Sequence, residues 1–129
     1  MVWSQNYRQN GSDIVKHTFE WVSDGSGNAT IPSLVAISGY ITRVVIVPSA
    51  VAAPTTLYDL TLTDENGVDA LSGLGANMSA SATLSTCPGT PINDGTTASV
   101  IPVIVDGILT LNVSNAGATK AGTVIVYVR

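Results

Sequence analysis

Charge is what this sequence has least of. Only 11% of its 129 residues are Asp, Glu, Lys or Arg, against about 25% in an average soluble domain. The five basic residues stand singly and the net charge is −4. That argues against direct nucleic-acid binding, which needs a basic patch to neutralise phosphates. A surface this poor in charge must be rich in Ser, Thr, Asn and Gly, be covered in part by other subunits, or both. No apolar run approaches the ~20 residues of a membrane-spanning helix. The opening MVWSQNYRQN has neither the basic stretch nor the apolar core expected of a secretory signal. The single cysteine, Cys87, excludes an internal disulfide and fits synthesis in a reducing cytoplasm.

Catalytic residue types are equally scarce. His17 is the only histidine. Its position in an alternating run puts it on the face of Phe19 and Trp21, as a packed side chain rather than a base or ligand. No G-x-S-x-G elbow is present to carry a nucleophilic serine. Cys87 precedes Pro88-Gly89 with no base or helix start nearby to activate its thiol. Gly73-Leu74-Gly75 is followed by no helix that could cradle phosphate, and there is no ligand set for zinc. Aromatics make up only 5% of residues, too few for the stacking platforms of a sugar-binding groove. No catalytic, cofactor-binding or metal-binding residue is therefore assigned.

What is present is β-sheet patterning. Tyr40–Val47, YITRVVIV, is almost all β-branched or aromatic, is preceded by a Ser38-Gly39 turn and is stopped by Pro48. Its unbroken Val44–Val47 run implies burial on both faces. Arg43 interrupts it, either reaching past the sheet edge to solvent or pairing with an acid of another subunit. In Leu57–Thr63, LYDLTLT, Tyr58, Leu60 and Leu62 alternate with polar residues, the pattern of a half-buried antiparallel strand. Asn66-Gly67 then signals a hairpin, with Val68–Leu71 as the return strand. Asp59, Asp64, Glu65, Asn66 and Asp69 gather oxygen ligands around this turn. Their spacing does not match the EF-hand calcium loop, so a solvated hairpin tip is the expectation.

Ile14–Val22 alternates with Phe19 and Trp21 as core anchors, and short strands are expected at 29–31 and 34–37. Residues 72–99 are rich in Gly, Ser, Thr and Pro, which disfavours helix. Short strands are expected at 77–78 and 82–84, then an ordered loop through 87–91. Ser99–Val105, SVIPVIV, leads through Asp106-Gly107 into Ile108–Ser114, ILTLNVS, which reads as a two-residue hairpin. Pro102 marks the first of these runs as an edge or bulged strand. Thr123–Val128, TVIVYV, is a final strand. Roughly eight strands without a helix predict a single-domain, all-β, antiparallel β-sandwich of jelly-roll type over residues 14–129. Residues 1–13 precede it as a polar N-terminal arm. Trp3, Tyr7 and Arg8 are its large side chains, of the types enriched in interface hot spots. They are the candidate partner-binding residues if the arm docks on a neighbouring subunit. The other reading is a short strand tucked on its own domain.

The arm, the Ser/Thr/Gly-rich sandwich, the turn SDGSGNAT and the run YDLTLTDENGVDAL followed by SGLGANMSA resemble small virion proteins of tailed bacteriophages, most of all capsid decoration (cement) proteins. The resemblance implies a non-enzymatic structural protein on the outer capsid surface of the virion, made in the host cytoplasm. It implies a homo-oligomer, with a trimer favoured, that binds the major capsid protein and clamps neighbouring capsid subunits. It transfers no residue by position. A tail, neck or receptor-contacting virion component is the alternative, and a carbohydrate-binding module or small hydrolase is a third reading.

Overall fold

The computed structural model describes residues 2–6, 13–93 and 98–129. The chain is all-β, with 54% of residues in strands and no helix among those described, and its antiparallel sheets curl into a half-barrel compatible with a sandwich. The described strands are β1 (Val2–Asn6), β2 (Val15–Val22), β3 (Ala29–Pro32), β4 (Ile37–Pro48), β5 (Asp59–Thr63), β6 (Leu84–Thr86), β7 (Gly89–Asn93), β8 (Ala98–Pro102), β9 (Ile104–Gly107), β10 (Thr110–Ser114) and β11 (Ala121–Val128).

The larger sheet has the order β1-β2-β11-β4-β6, with β9 also on β4; the second is β3-β10-β5; β7 and β8 pair only with each other. Alternation decides which side chains face inward. Phe19 and Trp21 of β2, Val44 and Ile46 of β4, and Val124 and Val126 of β11 are buried from one sheet. Ile31, Leu60, Leu62, Leu111 and Val113 meet them from the other. The Trp21 and Tyr58 rings lie 5.8 Å apart at 43° across this core. The period-2 signals of β2, β5, β10 and β11 are thus read directly into a two-layer core.

Four local expectations need correction. First, Ser38-Gly39 is no turn. It lies inside β4, where Gly39 takes φ +131° and Tyr40 exchanges backbone hydrogen bonds with Arg129. A Cβ on Gly39 would sit 2.6 Å from the Arg129 carbonyl oxygen, so only glycine fits there. Second, burial on both faces holds for the Val44–Val47 run but not for all of β4: Val44 and Ile46 face the core, Val45 is covered on the other side and Val47 is half-buried, whereas Tyr40 and Arg43 are exposed. Arg43 lies 5.5 Å from the centre of the Tyr127 ring and donates from Nε to Ser85 Oγ at 2.9 Å.

Third, Asp106-Gly107 does not close a hairpin. β9 pairs with β4, whereas β10 pairs with β3 and β5, so the link crosses between sheets. Gly107 (φ +141°) lies under Glu65, whose carboxyl carbon would be 2.7 Å from a Cβ there. Fourth, the Asn66-Gly67 turn forms, with Asp64 N–H donating to the Val68 carbonyl, but the return strand shrinks to a single bridge between Thr63 and Asp69. Ala70 and Leu71 turn inward to the core instead.

Candidate interaction surface

The expected loop through 87–91 is part of a β-hairpin, and its origin lies in the pairing of β4. β6 runs antiparallel to the second half of β4, from Leu84↔Ile46 to Thr86↔Val44. β9 runs antiparallel to the first half, from Ile104↔Tyr40 to Gly107↔Ile37. Together β6 and β9 are two halves of one edge strand. Residues 87–103 leave that line opposite the middle of β4, form the β7–β8 hairpin, and return where Ile41 N–H donates to the Val103 carbonyl at 2.9 Å. Cys87 stands exposed at the exit.

The hairpin is held to the body by little. Its register runs from Gly89↔Pro102 to Asn93↔Ala98, neither strand pairs with another sheet, and Ser72 Oγ donates to the Gly89 carbonyl at 3.0 Å. Isolated two-stranded hairpins are marginal in water. Prolines stand at Pro91↔Val100 and Gly89↔Pro102. Proline has no N–H for the ladder, so these pairs are the ones whose N–H groups point away from the partner strand. Each outer edge therefore lacks a donor where an added strand would look for one. The edges are guarded; the faces are open.

Among the described side chains on and beside the hairpin, several are apolar and exposed. Val100 is 70% and Ile104 is 60% exposed, with Ile101 and Tyr40 also exposed. Tyr40 and Ile104 are direct cross-strand partners on the edge of the large sheet. Between Cys87 and Val105 the only charged residue is Asp94. The sequence carries a signal for this hairpin in Asp94-Gly95, a turn dipeptide between two short β-prone runs.

The sequence-assigned partner residues fall elsewhere. Over residues 2–6 the expected arm is an edge strand of the domain, paired with β2 from Val2↔Glu20 to Asn6↔Lys16. Trp3 packs, partly buried, against the core, and its ring stacks on His17 with centroids 5.6 Å apart. Beside it Val2, Thr30, Ile31, Pro32 and Leu34 line a shallow groove. Tyr7 and Arg8 lie outside the described residues.

The acidic residues around the Asn66-Gly67 turn act as backbone anchors. Asp69 Oδ1 accepts from Leu62 and Leu71 N–H, both at 3.0 Å, and its Oδ2 from Gly73 N–H at 3.0 Å. Asp64 Oδ1 accepts from Asn66 and Val68 N–H. Asp59 accepts from Asn77 N–H and from Asn115 Nδ2, and Glu65 from Ile108 N–H. No grouping of three or more His, Cys, Asp or Glu side chains that could hold a metal ion occurs among the described residues. The outer face of the small sheet is likewise tied to itself, with Asn112 Nδ2 donating to Thr61 Oγ1 and Thr63 Oγ1.

Compared with known proteins, the chain matches no family model, and a search of curated proteins found no match.

Proposed function

We propose that this chain is a structural virion protein of a tailed bacteriophage: a capsid decoration protein that forms a homo-oligomer and binds the major capsid protein on the outer surface. The observation that supports a binding role is the β7–β8 hairpin. It projects from a split edge strand, its edges are closed to strand addition by Pro91 and Pro102, and it presents exposed Val100 and Ile101 with almost no charge. Apolar side chains held out on a ribbon that the body barely supports gain most when a partner covers them. Repetition around a symmetry axis would add avidity to modest individual contacts. The phage assignment itself rests on the sequence resemblance.

The test is quantitative mass spectrometry of purified particles of the phage that encodes the chain. Hundreds of copies per particle, lost together on treatment that strips the outer capsid surface, is the expected result. A few to some dozens of copies would place the chain in the tail or neck, and absence from particles would overturn the virion role. In parallel, a Val100→Lys, Ile104→Lys double variant is expected to fold normally but fail to rebind stripped particles.

A further inference from the structure

His17 is 3% exposed, and its Nδ1 is buried without a hydrogen-bond partner. Trp3 covers it, stacked at 5.6 Å and 21°, and the Trp3 Nε1 is also buried and unpartnered. The contact joins one edge strand of the large sheet to its neighbour. β1 stands at the end of the strand order and pairs only with β2, besides packing loosely on β3.

No acid faces this imidazole among the described residues. β1 and β3 contain no titratable side chain. The one titratable side chain of β11, Tyr127, lies on the outer face beneath Arg43. Lys16 and Glu20 of β2 flank His17 at odd spacing and so point to that same outer face. Asp13, exposed, precedes the strand. A proton on His17 would place a cation inside an apolar layer with no carboxylate to answer it, a desolvation cost that the face of the Trp3 ring offsets only in part.

We infer that His17 and Trp3 form an acid-sensitive latch: protonation of the imidazole releases β1 from β2, exposing Trp3 and the edge of β2. The direction of the histidine's titration agrees, since burial lowers its pKa from 6.5. A group that is neutral in the closed state and freely protonated in the open one drives opening as pH falls. The opening constant then rises by about tenfold per pH unit below 6.5 while the closed state stays unprotonated. The inference stands apart from the proposed virion role, because it concerns only how β1 is held.

Hydrogen exchange followed by mass spectrometry on the full chain tests it, at pH 7.5 and pH 5 after correction for intrinsic rates. Amides of β1 and the facing edge of β2 are expected to lose at least tenfold protection at pH 5, while β4 and β11 keep theirs. A His17→Phe variant, which fills the same space without a titrating group, is expected to hold β1 equally at both values. Unchanged β1 protection in the wild type would overturn the latch, and so would an equal loss in His17→Phe. Should that variant fail to fold, histidine side-chain NMR of the wild type decides. His17 titrating below 6.5 together with the β1 resonances supports the latch. A midpoint at or above 6.5, or β1 resonances that do not follow it, overturns it.

Discussion

The Trp21 indole lies against the backbone of Gly122, its direct partner across β2 and β11. A Cβ built on Gly122 would fall 2.7 Å from Trp21 Cζ2 and 2.9 Å from its Nε1. The glycine is therefore set by close approach of a buried ring that fills the space a side chain would take. Gly122→Ala is expected to cost about 1–3 kcal/mol, in the range of overpacked cores. Urea unfolding would measure it. Because the two residues touch, Trp21→Phe should relieve part of that cost in the double variant, and strict additivity would argue against the contact.

Asp69 holds the irregular segment after β5 by three backbone N–H groups. Removing both acceptor oxygens, and with them three hydrogen bonds, through Asp69→Ala should destabilise the chain by about 2–4 kcal/mol, since hydrogen bonds to a charged group are worth about 1.5–3 kcal/mol each and part is regained from water. Asp69→Asn keeps an Oδ1 acceptor for Leu62 and Leu71 and should lose about half as much. Equal losses for the two variants in chemical denaturation would show that charge, not the acceptor pattern, matters there.

The split edge strand predicts that the hairpin can be removed. Replacing residues 87–102 with two glycines should let β6 and β9 run on as one strand along β4, keeping Val103 in its packing place. The shortened chain is expected to melt within a few degrees of the parent, because the hairpin pairs with no sheet of the body. It should also lose any self-association or particle binding. Calorimetry and light scattering would check both; an unfolded product would show that the hairpin supports the core.

Stability should fall with acid in two windows. The His17 pKa is lowered by burial from 6.5, so the unfolded state binds the extra proton first and stability declines as pH drops below about 6.5. Asp59 is lowered from 3.8, first by the Asn77 N–H and then by Asn115. Asp24 is lowered by the N–H groups of Asn28 and Ser26. Their contribution is present above 3.8 and is lost as pH falls through the depressed values. On the alkaline side, burial pushes Tyr58 up to about 12; its neutral form is favoured by folding, so stability should drop from about pH 10 upward. Urea midpoints across pH would show the steps, and His17→Phe should erase only the first.

Alternation alone placed Phe19, Trp21, Tyr58, Leu60, Leu62, Leu111 and Val113 in the core, because a strand has a period of two wherever it lies. Composition likewise announced an all-β chain. The destination of each strand could not be read the same way. Asp106-Gly107 carries a hairpin signal, yet its flanking strands are drawn to different sheets by Val105 and Leu109 seeking the core from separate layers. Residues 34–37 read as a short strand and 38–39 as a turn, yet 34–36 are irregular with Leu34 and Val35 exposed, and Gly39 lets the strand that starts at Ile37 run on against Arg129, ninety positions away in the sequence.

The acids near Asn66 looked like a ligand cluster because side chains near in sequence are near in space. Only the fold assigned their oxygens to the N–H groups of Leu62, Gly73, Asn77 and Ile108. Trp3 was legible as an anchor, but which surface it anchors to was not. It packs on His17 of the chain's own β2, and that choice is made by long-range pairing. Local sequence determined which faces of each strand avoid water. Tertiary structure alone decided which strands share a sheet, and so which apolar residues, Val100, Ile101 and Ile104 among them, were left outside.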